Sequence, residues 1–163
     1  MIIRKMRRID LPQAAALERE CFRASAWSEK AYGAALEDEN ALYLAAVEPA
    51  GQEEGQQDTL LGCCGIWQSF EDGEIMNVAV WPRYRRQGVA ARMLDELMEQ
   101  ARGRGVENFT LEVRESNRPA IGLYESRGFV TEGVRKNFYD NPRENALIMW
   151  KKQKISNDLS IIR

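Results

Sequence analysis

Apolar residues recur along this chain in two periods, one typical of helices and one typical of strands. The clearest helical pattern runs from 88 to 103, where Ala90, Leu94, Leu97 and Ala101 are spaced four, three and four residues apart. That spacing places the four side chains on one face of a helix with 3.6 residues per turn. The segment is therefore predicted to be an amphipathic helix that packs its apolar stripe against a core.

Capping and turn residues divide the rest of the chain into further elements. Ser28 and Asn117 are each expected to cap the start of a helix, and Gly128 is expected to follow the end of the second one. The predicted helices cover 10–22, 28–38, 88–103 and the segment from Asn117 to Gly128. Strands are predicted at 2–7, 41–48, 59–70, 74–81, 108–113, 129–138 and 145–151, with a turn at 71–73.

The order of these elements is β-α-α-β-β-β-α-β-α-β-β, which indicates a mixed α/β class. The strand–helix–strand step from 74 to 113 requires one parallel crossover, whereas the strands joined by short turns are expected to be antiparallel. We therefore predict a single α/β domain over residues 1–152, with a mostly antiparallel central sheet flanked by helices. Residues 153–163 are predicted to form a poorly ordered C-terminal tail.

Composition and charge narrow the chemistry that this domain can perform. The chain of 163 residues has a formal net charge of −2 and contains no histidine, so proton transfer falls to Asp, Glu, Tyr, Lys, Cys or bound water. The three cysteines form no C-x-x-C pair, so no disulfide framework and no metal site is expected. Cys63 and Cys64 are interpreted as one core and one surface thiol. No membrane-spanning run or signal-peptide pattern is recognised, so a cytoplasmic location and no membrane partner are expected.

A basic loop stands directly before the clearest helix, with the sequence "RYRRQGVA" at 83–90. A helix N-terminus exposes unpaired N–H groups and the positive end of the helix dipole. Gly88 allows a ligand to approach the backbone, and the guanidinium groups of Arg85 and Arg86 suit phosphate oxygens. The loop therefore indicates an anion site for a group such as a pyrophosphate. A solvated basic turn that only begins a helix is the alternative.

The surrounding sequence, "MNVAVWPRYRRQGVAARML", resembles the acetyl-CoA signature of the GCN5-related N-acetyltransferases (GNAT), in which Arg-x-x-Gly-x-Ala follows a strand. The later segment "LEVRESNRPAIGLYESRGF" is similar to the closing motif of that family. The two motifs occur in the family's order and on the expected elements, and the resemblance extends over residues 2 to 151. It implies the GNAT fold and acetyl-CoA as the acetyl donor.

The resemblance also implies which residues bind acetyl-CoA. Backbone groups of the strand before the loop would bind the pantetheine arm and the developing oxyanion. The loop and the first helical turn would bind the pyrophosphate, and Asn117 would contact the cofactor while it caps its helix. The expected cofactor-binding residues are Val78, Ala79, Val80, Arg85, Arg86, Gln87, Gly88, Val89, Ala90, Ala91 and Asn117.

Two catalytic residues follow from the same resemblance. Glu112, in "LEVR", would act as the general base for the acceptor amine, and Tyr124, in "LYES", would act as the general acid for the thiolate. The residues alone indicate instead an exposed glutamate on a strand, because Glu112 alternates with Leu111 and Val113. Tyr124 reads as a core tyrosine on the apolar face of its helix.

The acceptor is indicated by a narrower resemblance. Segments such as "WSEK", "NVAV" and "ALIM" are similar to those of the RimI-type ribosomal-protein alanine N-acetyltransferases. That similarity implies transfer to the N-terminal alanine of a small-subunit ribosomal protein. Trp27, Tyr139 and the 139–144 loop are expected to line the acceptor groove, and packing in the core or on the surface is the alternative for these aromatic residues. The segments "RASAW" and "KNFYDNPREN" depart from the RimI-type pattern. A small-molecule amine, such as a polyamine, an amino acid or an antibiotic, therefore stays open as the acceptor.

Two other classes of function compete with an active transferase. A nucleic-acid binding module could use "RYRRQ", but direct nucleic-acid binding is not expected, since acidic residues at 18, 20, 37–39, 53–54 and 71–74 oppose a wide basic surface. A catalytically inactive acetyl-CoA sensor would bind the cofactor without releasing its thiol. The presence of both Glu112 and Tyr124 argues against the sensor.

Overall fold

The computed structural model describes residues 1–154, in which four α-helices and seven β-strands follow the predicted order. The predicted tail falls almost entirely on 155–163, which lie outside the described residues. The elements are β1 (Ile2–Lys5), α1 (Leu11–Phe22), α2 (Glu29–Glu37), β2 (Ala41–Glu48), β3 (Thr59–Ser69), β4 (Asp72–Val80), α3 (Val89–Gly103), β5 (Asn108–Arg114), α4 (Arg118–Ser126), β6 (Val130–Tyr139) and β7 (Glu144–Lys151). None of the described helices is long and apolar enough to cross a membrane.

The seven strands form one sheet in the order β1-β2-β3-β4-β5-β7-β6. Every neighbouring pair is antiparallel except β4 and β5, which α3 connects in parallel. The predicted fold class, a mixed sheet with a single parallel crossover, is confirmed. The last two strands, β6 and β7, form a hairpin. Its second strand, β7, lies between β5 and β6, so β5 and β6 follow each other along the chain but are not neighbours in the sheet.

Two apolar cores cover the two faces of the sheet. The α3/α4 face includes Met93 and Leu97 of α3 and Ile121 of α4. The α1/α2 face includes Leu17 of α1 and Tyr32 of α2. A central strand covered on both faces has no solvent-facing side, so its residues are apolar almost throughout.

This double coverage corrects the interpretation of the adjacent cysteines. Cys63 packs in the α1/α2 core and Cys64 packs in the α3/α4 core, so the two thiols do point to opposite faces. Both are fully buried, however, and the prediction of one surface thiol is wrong. Burial raises the pKa of the Cys63 thiol to about 12, which keeps it protonated near neutral pH.

Element ends differ from the prediction by a few residues, with identifiable causes. The turn after β3 lies at 70–71 rather than at 71–73, because Phe70 takes a positive φ of 53° and β4 already begins at Asp72. The caps of α2 and α4 are as predicted: Ser28 Oγ accepts from the backbone N–H of Ala31, and Asn117 Oδ1 accepts from that of Ala120.

Candidate active site

A cleft opens between β4 and β5, the parallel pair at the centre of the sheet. The two strands are hydrogen-bonded only over Asp72–Glu74 and Asn108–Thr110. Beyond those residues, β5 continues to pair with β7 on its other side as far as Arg114. The facing edges of β4 and β5 therefore diverge toward their carboxyl ends, and ligands in α/β sheets bind at such openings.

A β-bulge in β4 explains why the strands separate. Gly65 of β3 pairs with Asn77 of β4. The next residue of β3, Ile66, pairs with Ile75, so Met76 is the extra residue of the bulge. A bulge bends and twists its strand locally. It carries the rest of β4 away from β5.

The residues expected to bind the pantetheine arm lie on this freed edge. Val78, Ala79 and Val80 pair with β3 on one side, and on the other side they pair with no strand within residues 1–154. A strand edge of this kind offers main-chain donors and acceptors to an extended ligand. Cofactor binding by these three residues stays a prediction, and the open edge is compatible with it.

The loop after β4 leads into α3 with an unpaired row of backbone donors. Arg86 and Gly88 take positive φ values of 59° and 78°, and α3 begins at Val89. The first bond of the helix is from the N–H of Arg92 to the carbonyl of Gly88. Within residues 1–154, no group accepts from the N–H groups of 86–91, which include Gln87, Val89, Ala90 and Ala91. These donors and the helix dipole together suit an anion.

The three arginines of this loop have different surroundings. Arg85 does not extend into the loop: its Nε donates to the carbonyl of Val80 at 3.0 Å, and its guanidinium contacts Cys21 Sγ at 3.5 Å. Arg83 lies over the ring of Tyr84, 5.0 Å from its centroid. Arg86 is exposed and has no hydrogen-bond or ion-pair partner among the described residues. Of the two arginines expected to bind phosphate, Arg86 is the one whose guanidinium is available.

Gln87 connects the loop to a neighbouring cavity. Its side-chain amide donates to the carbonyl of Arg83 at 3.1 Å. The cavity has a volume of about 320 Å³ and lies beside the N-terminus of α3. Its lining residues are Met1, Glu48, Leu61, Tyr84, Gln87, Val89 and Arg92.

Glu112 lies on β5, two residues beyond the last position at which β5 pairs with β4. Leu111 and Val113 face the α3/α4 core, so Glu112 faces the other side, as the alternation predicted. Its Oε1 is 2.8 Å from Nε of Arg135 on β6, and its side chain is 22% exposed. Burial raises the pKa of Glu112, Arg135 acts to lower it, and Glu74 acts to raise it. A carboxyl group with a raised pKa is better suited to accept a proton from an amine.

Tyr124 lies on the opposite face of the sheet, in the α3/α4 core. Its ring packs against Phe129 with their centroids 5.8 Å apart. No group within residues 1–154 hydrogen-bonds to its hydroxyl. Burial raises the pKa of Tyr124 well above its usual value, and Cys64 and Tyr139 act in the same direction. The phenol is therefore protonated at neutral pH and has a hydroxyl proton to donate.

Tyr139, which is expected to line the acceptor groove, lies at the end of β6. The guanidinium of Arg114 is 4.4 Å from the centroid of its ring. The same guanidinium donates to the carbonyls of Asp140 and Pro142 and pairs with Glu144 at 3.2 Å. One β5 side chain thus holds the 139–144 loop beside Glu112. Burial and the nearby Glu112 raise the pKa of Tyr139.

A buried polar network lies on the α1/α2 face, and the sequence did not predict it. Glu18 of α1 is 1% exposed. Its Oε1 accepts from the hydroxyl of Tyr32 and from Nδ2 of Asn77, each at 2.6 Å. Nδ2 of Asn77 also donates to the Tyr32 hydroxyl at 2.7 Å. Glu18 is one of the acidic residues that we expect to oppose nucleic-acid binding, but it lies in the core and not on the surface.

Trp27, which is also expected to line the acceptor groove, belongs to this network. Its backbone N–H donates to Oε2 of Glu18 at 3.2 Å. Its ring packs 5.4 Å from that of Tyr32 and 5.9 Å from that of Tyr43. The network joins the α1–α2 connection to Asn77, the residue after the bulge in β4. Contact of Trp27 with an acceptor stays a prediction.

The sequence and fold define the family of the chain. A profile of the acetyltransferase (GNAT) family matches residues 10–129. The chain belongs to the GNAT family. It is an acetyl-CoA-dependent N-acetyltransferase, with acetyl-CoA as the acetyl donor.

Relatives within the family share most of their length with this chain. The ribosomal protein bS18-alanine N-acetyltransferase of Escherichia coli is 35% identical over 143 residues, which cover 86% of this chain and 89% of the relative. A Bacillus subtilis relative, whose name assigns it the same activity provisionally, is 35% identical over 148 residues, 91% of this chain and 93% of its own. The crystal structure of the Escherichia coli ribosomal-protein-S18-alanine N-acetyltransferase is 31% identical, covers 97% of each chain and superimposes with a TM-score of 0.79.

Proposed function

We propose that this enzyme transfers acetyl from acetyl-CoA to the N-terminal α-amine of a protein, with the N-terminal alanine of a small-subunit ribosomal protein as the acceptor. The observation that carries the proposal is that Glu112 and Tyr124 lie on opposite faces of the sheet, with Glu112 on β5 just beyond the point where β4 and β5 stop pairing. The names of the relatives support the choice of acceptor.

The reaction is a direct attack of the amine on the thioester. The amine nitrogen forms a bond to the acetyl carbonyl carbon, and the bond from that carbon to sulfur breaks. An α-amine has a pKa of about 7.7, so it needs only modest help to lose its proton. Glu112 accepts that proton, directly or through one water, from the α1/α2 side of the cleft.

The leaving thiolate needs a proton from the other side. A thiol has a pKa of about 8.5, so its thiolate leaves faster when a proton donor is close. Tyr124 supplies this proton, since burial holds its hydroxyl in the protonated form. After release of coenzyme A, exchange with solvent restores the protonation states of both residues.

The two sides of the cleft then take different substrates. The donor lies along the freed edge of β4, with its pyrophosphate on the N–H groups of 86–91. The acceptor approaches from the α1/α2 face, where Glu112, Trp27 and Tyr139 lie. An extended N-terminal peptide suits this side because the α1–α2 connection and the 139–144 loop border it.

The experiment uses purified enzyme, acetyl-CoA and two acceptor sets, with the products identified by mass spectrometry. One set contains peptides that begin with Ala, Ser or Met, each with a free or a blocked amine. The other set contains polyamines, amino acids and aminoglycosides. Acetylation of free Ala-starting peptides but not of blocked ones is expected. Acetylation of small amines alone would overturn the proposed acceptor and leave the family chemistry in place.

The catalytic roles are tested by Glu112→Gln with Glu115→Gln as the matched control. We expect Glu112→Gln to lower kcat about 100-fold near neutral pH, within the usual range for loss of a general base. Its activity should recover partly at high pH, where the amine deprotonates without help. Glu115→Gln should retain activity, and equal activity of the two variants would remove Glu112 from the mechanism.

A further inference from the structure

Glu112 stands between two residues of opposite charge that no sequence motif included. On one side, Arg135 of β6 contacts it at 2.8 Å through Nε. β6 is one of the two edge strands of the sheet, and the Arg135 side chain is 57% exposed. This ion pair favours the carboxylate form of Glu112 and holds its side chain toward β6.

On the other side, Glu74 is placed by the register of the parallel strands. Glu74 pairs with Thr110, the last paired position before the cleft opens. Thr110 and Glu112 are two residues apart on β5, so both face the α1/α2 side. A step of two residues along one strand and one strand across separates the Cα atoms of Glu74 and Glu112 by about 8 Å. The Glu74 carboxylate has no ion-pair or hydrogen-bond partner in the described part of the chain.

The other neighbours of Glu112 named by the strand register and the contacts are either held by other partners or uncharged. Arg114, on the same face of β5, is held by Glu144 and by two loop carbonyls. Tyr139 of β6 is neutral below its raised pKa. The residue of β7 directly opposite Glu112 is Ile148, which carries no charge. Glu74 and Arg135 are therefore the two charges of this cluster left to act on Glu112.

We propose that Glu74 and Arg135 are positioning residues that set the proton affinity of Glu112 in opposite directions. Arg135 stabilises the carboxylate, so that Glu112 is ionised before the acceptor arrives. Glu74 opposes ionisation by repulsion and keeps Glu112 basic enough to accept the amine proton. An effective base needs both properties near the working pH. The proposal rests on the proposed role of Glu112 as the base.

The experiment titrates Glu112 directly, by NMR of protein labelled with ¹³C at the glutamate side-chain carboxyls. The Glu112 signal is assigned by its loss in Glu112→Gln. Titrations of Glu74→Gln, Arg135→Gln and the double variant are compared with wild type. Glu132→Gln serves as the matched control, because it removes an ion pair with Lys152 from the same strand.

Opposite shifts are expected from the two single variants. Removing Glu74 should lower the titration midpoint of Glu112 by about half a pH unit, for charges about 8 Å apart near a protein surface. Removing Arg135 should raise it by about one unit, as loss of a contacting opposite charge does. The double variant should titrate between the two single variants, and Glu132→Gln should titrate as wild type. Unchanged midpoints, or shifts of the same sign, would overturn the proposal.

Kinetics separates this proposal from the proposed function. The acidic limb of kcat/KM for the peptide acceptor should move with the NMR midpoint in each variant, since the free peptide is the same in all of them. Opposite NMR shifts without movement of that limb would support the charge arrangement and remove Glu112 from the role of base. A wild-type enzyme that acetylates no peptide would overturn the acceptor, while the titration still decides the proposal about Glu74 and Arg135.

Discussion

The two faces of the cleft are built in different ways. On the α3/α4 face, the part of the expected donor site that would bind the pyrophosphate lies in one short segment, 83–91, where backbone N–H donors and the Arg86 guanidinium come together. On the α1/α2 face, the expected acceptor site is assembled from side chains on separate elements, namely Trp27 before α2, Glu112 of β5 and Tyr139 of β6. A site made from one contiguous segment depends on local conformation, whereas a site made from distant side chains depends on the whole fold.

The largest effect that tests this comparison is expected from Tyr124→Phe. The variant keeps the ring that packs against Phe129 and removes only the hydroxyl. We expect kcat to fall about 100-fold, because the thiolate loses its proton donor. The dissociation constant for acetyl-CoA, measured by calorimetry, should stay unchanged.

Tyr43→Phe is the matched control for this variant. Tyr43 is equally buried, and burial raises the pKa of its phenol as well, but it lies on the α1/α2 face. Removal of the Tyr43 hydroxyl should leave kcat near the wild-type value. A similar loss of kcat in both variants would indicate a general packing effect and would contradict the acid role of Tyr124.

The next effect concerns stability and is expected on the α1/α2 face. Glu18→Gln replaces one carboxylate oxygen by an NH₂ group, which would face one of the three donors that now contact Glu18. A buried donor without an acceptor costs about 1–3 kcal/mol, so the free energy of unfolding should fall by that amount. Urea denaturation measures it, with the exposed Glu20→Gln on the same helix as the control. Equal stability of the two variants would show that the network contributes little.

The same contrast explains which features the sequence predicted. The order of elements along the chain, the parallel crossover, the helix caps and the basic loop all follow from local patterns. The Glu18 network does not, because its members are 9 to 59 residues apart along the chain. The pair between Glu112 and Arg135 was missed for the same reason. Arg85 shows that a local sequence pattern does not predict the contacts of a side chain. Its charge suits a phosphate, but its guanidinium donates to the carbonyl of Val80.

The two adjacent arginines of the loop sharpen this point. Arg86→Ala should weaken acetyl-CoA binding about tenfold, as expected for loss of one charge-assisted hydrogen bond to phosphate. Its thermal midpoint should stay unchanged, because Arg86 has no partner in residues 1–154. Arg85→Ala should instead lower the thermal midpoint by releasing the loop from Val80. Calorimetry and thermal denaturation measure the two effects, and identical behaviour of the variants would contradict the difference in their contacts.

The smallest expected effect is on stability, when glycine is replaced by alanine at Gly88 and, separately, at Gly122. Gly88 takes a φ of 78°, so Gly88→Ala should lower the free energy of unfolding by about 1 kcal/mol. No atom lies within 4 Å of the added Cβ, so the loss arises from backbone conformation alone. Gly122 lies inside α4 with equally open space, and Gly122→Ala should raise stability by about 0.5–1 kcal/mol. Urea denaturation without ligand should give opposite signs. If both variants were stabilised, the left-handed conformation at Gly88 would not be required for the loop, and its N–H donors could be arranged by other residues.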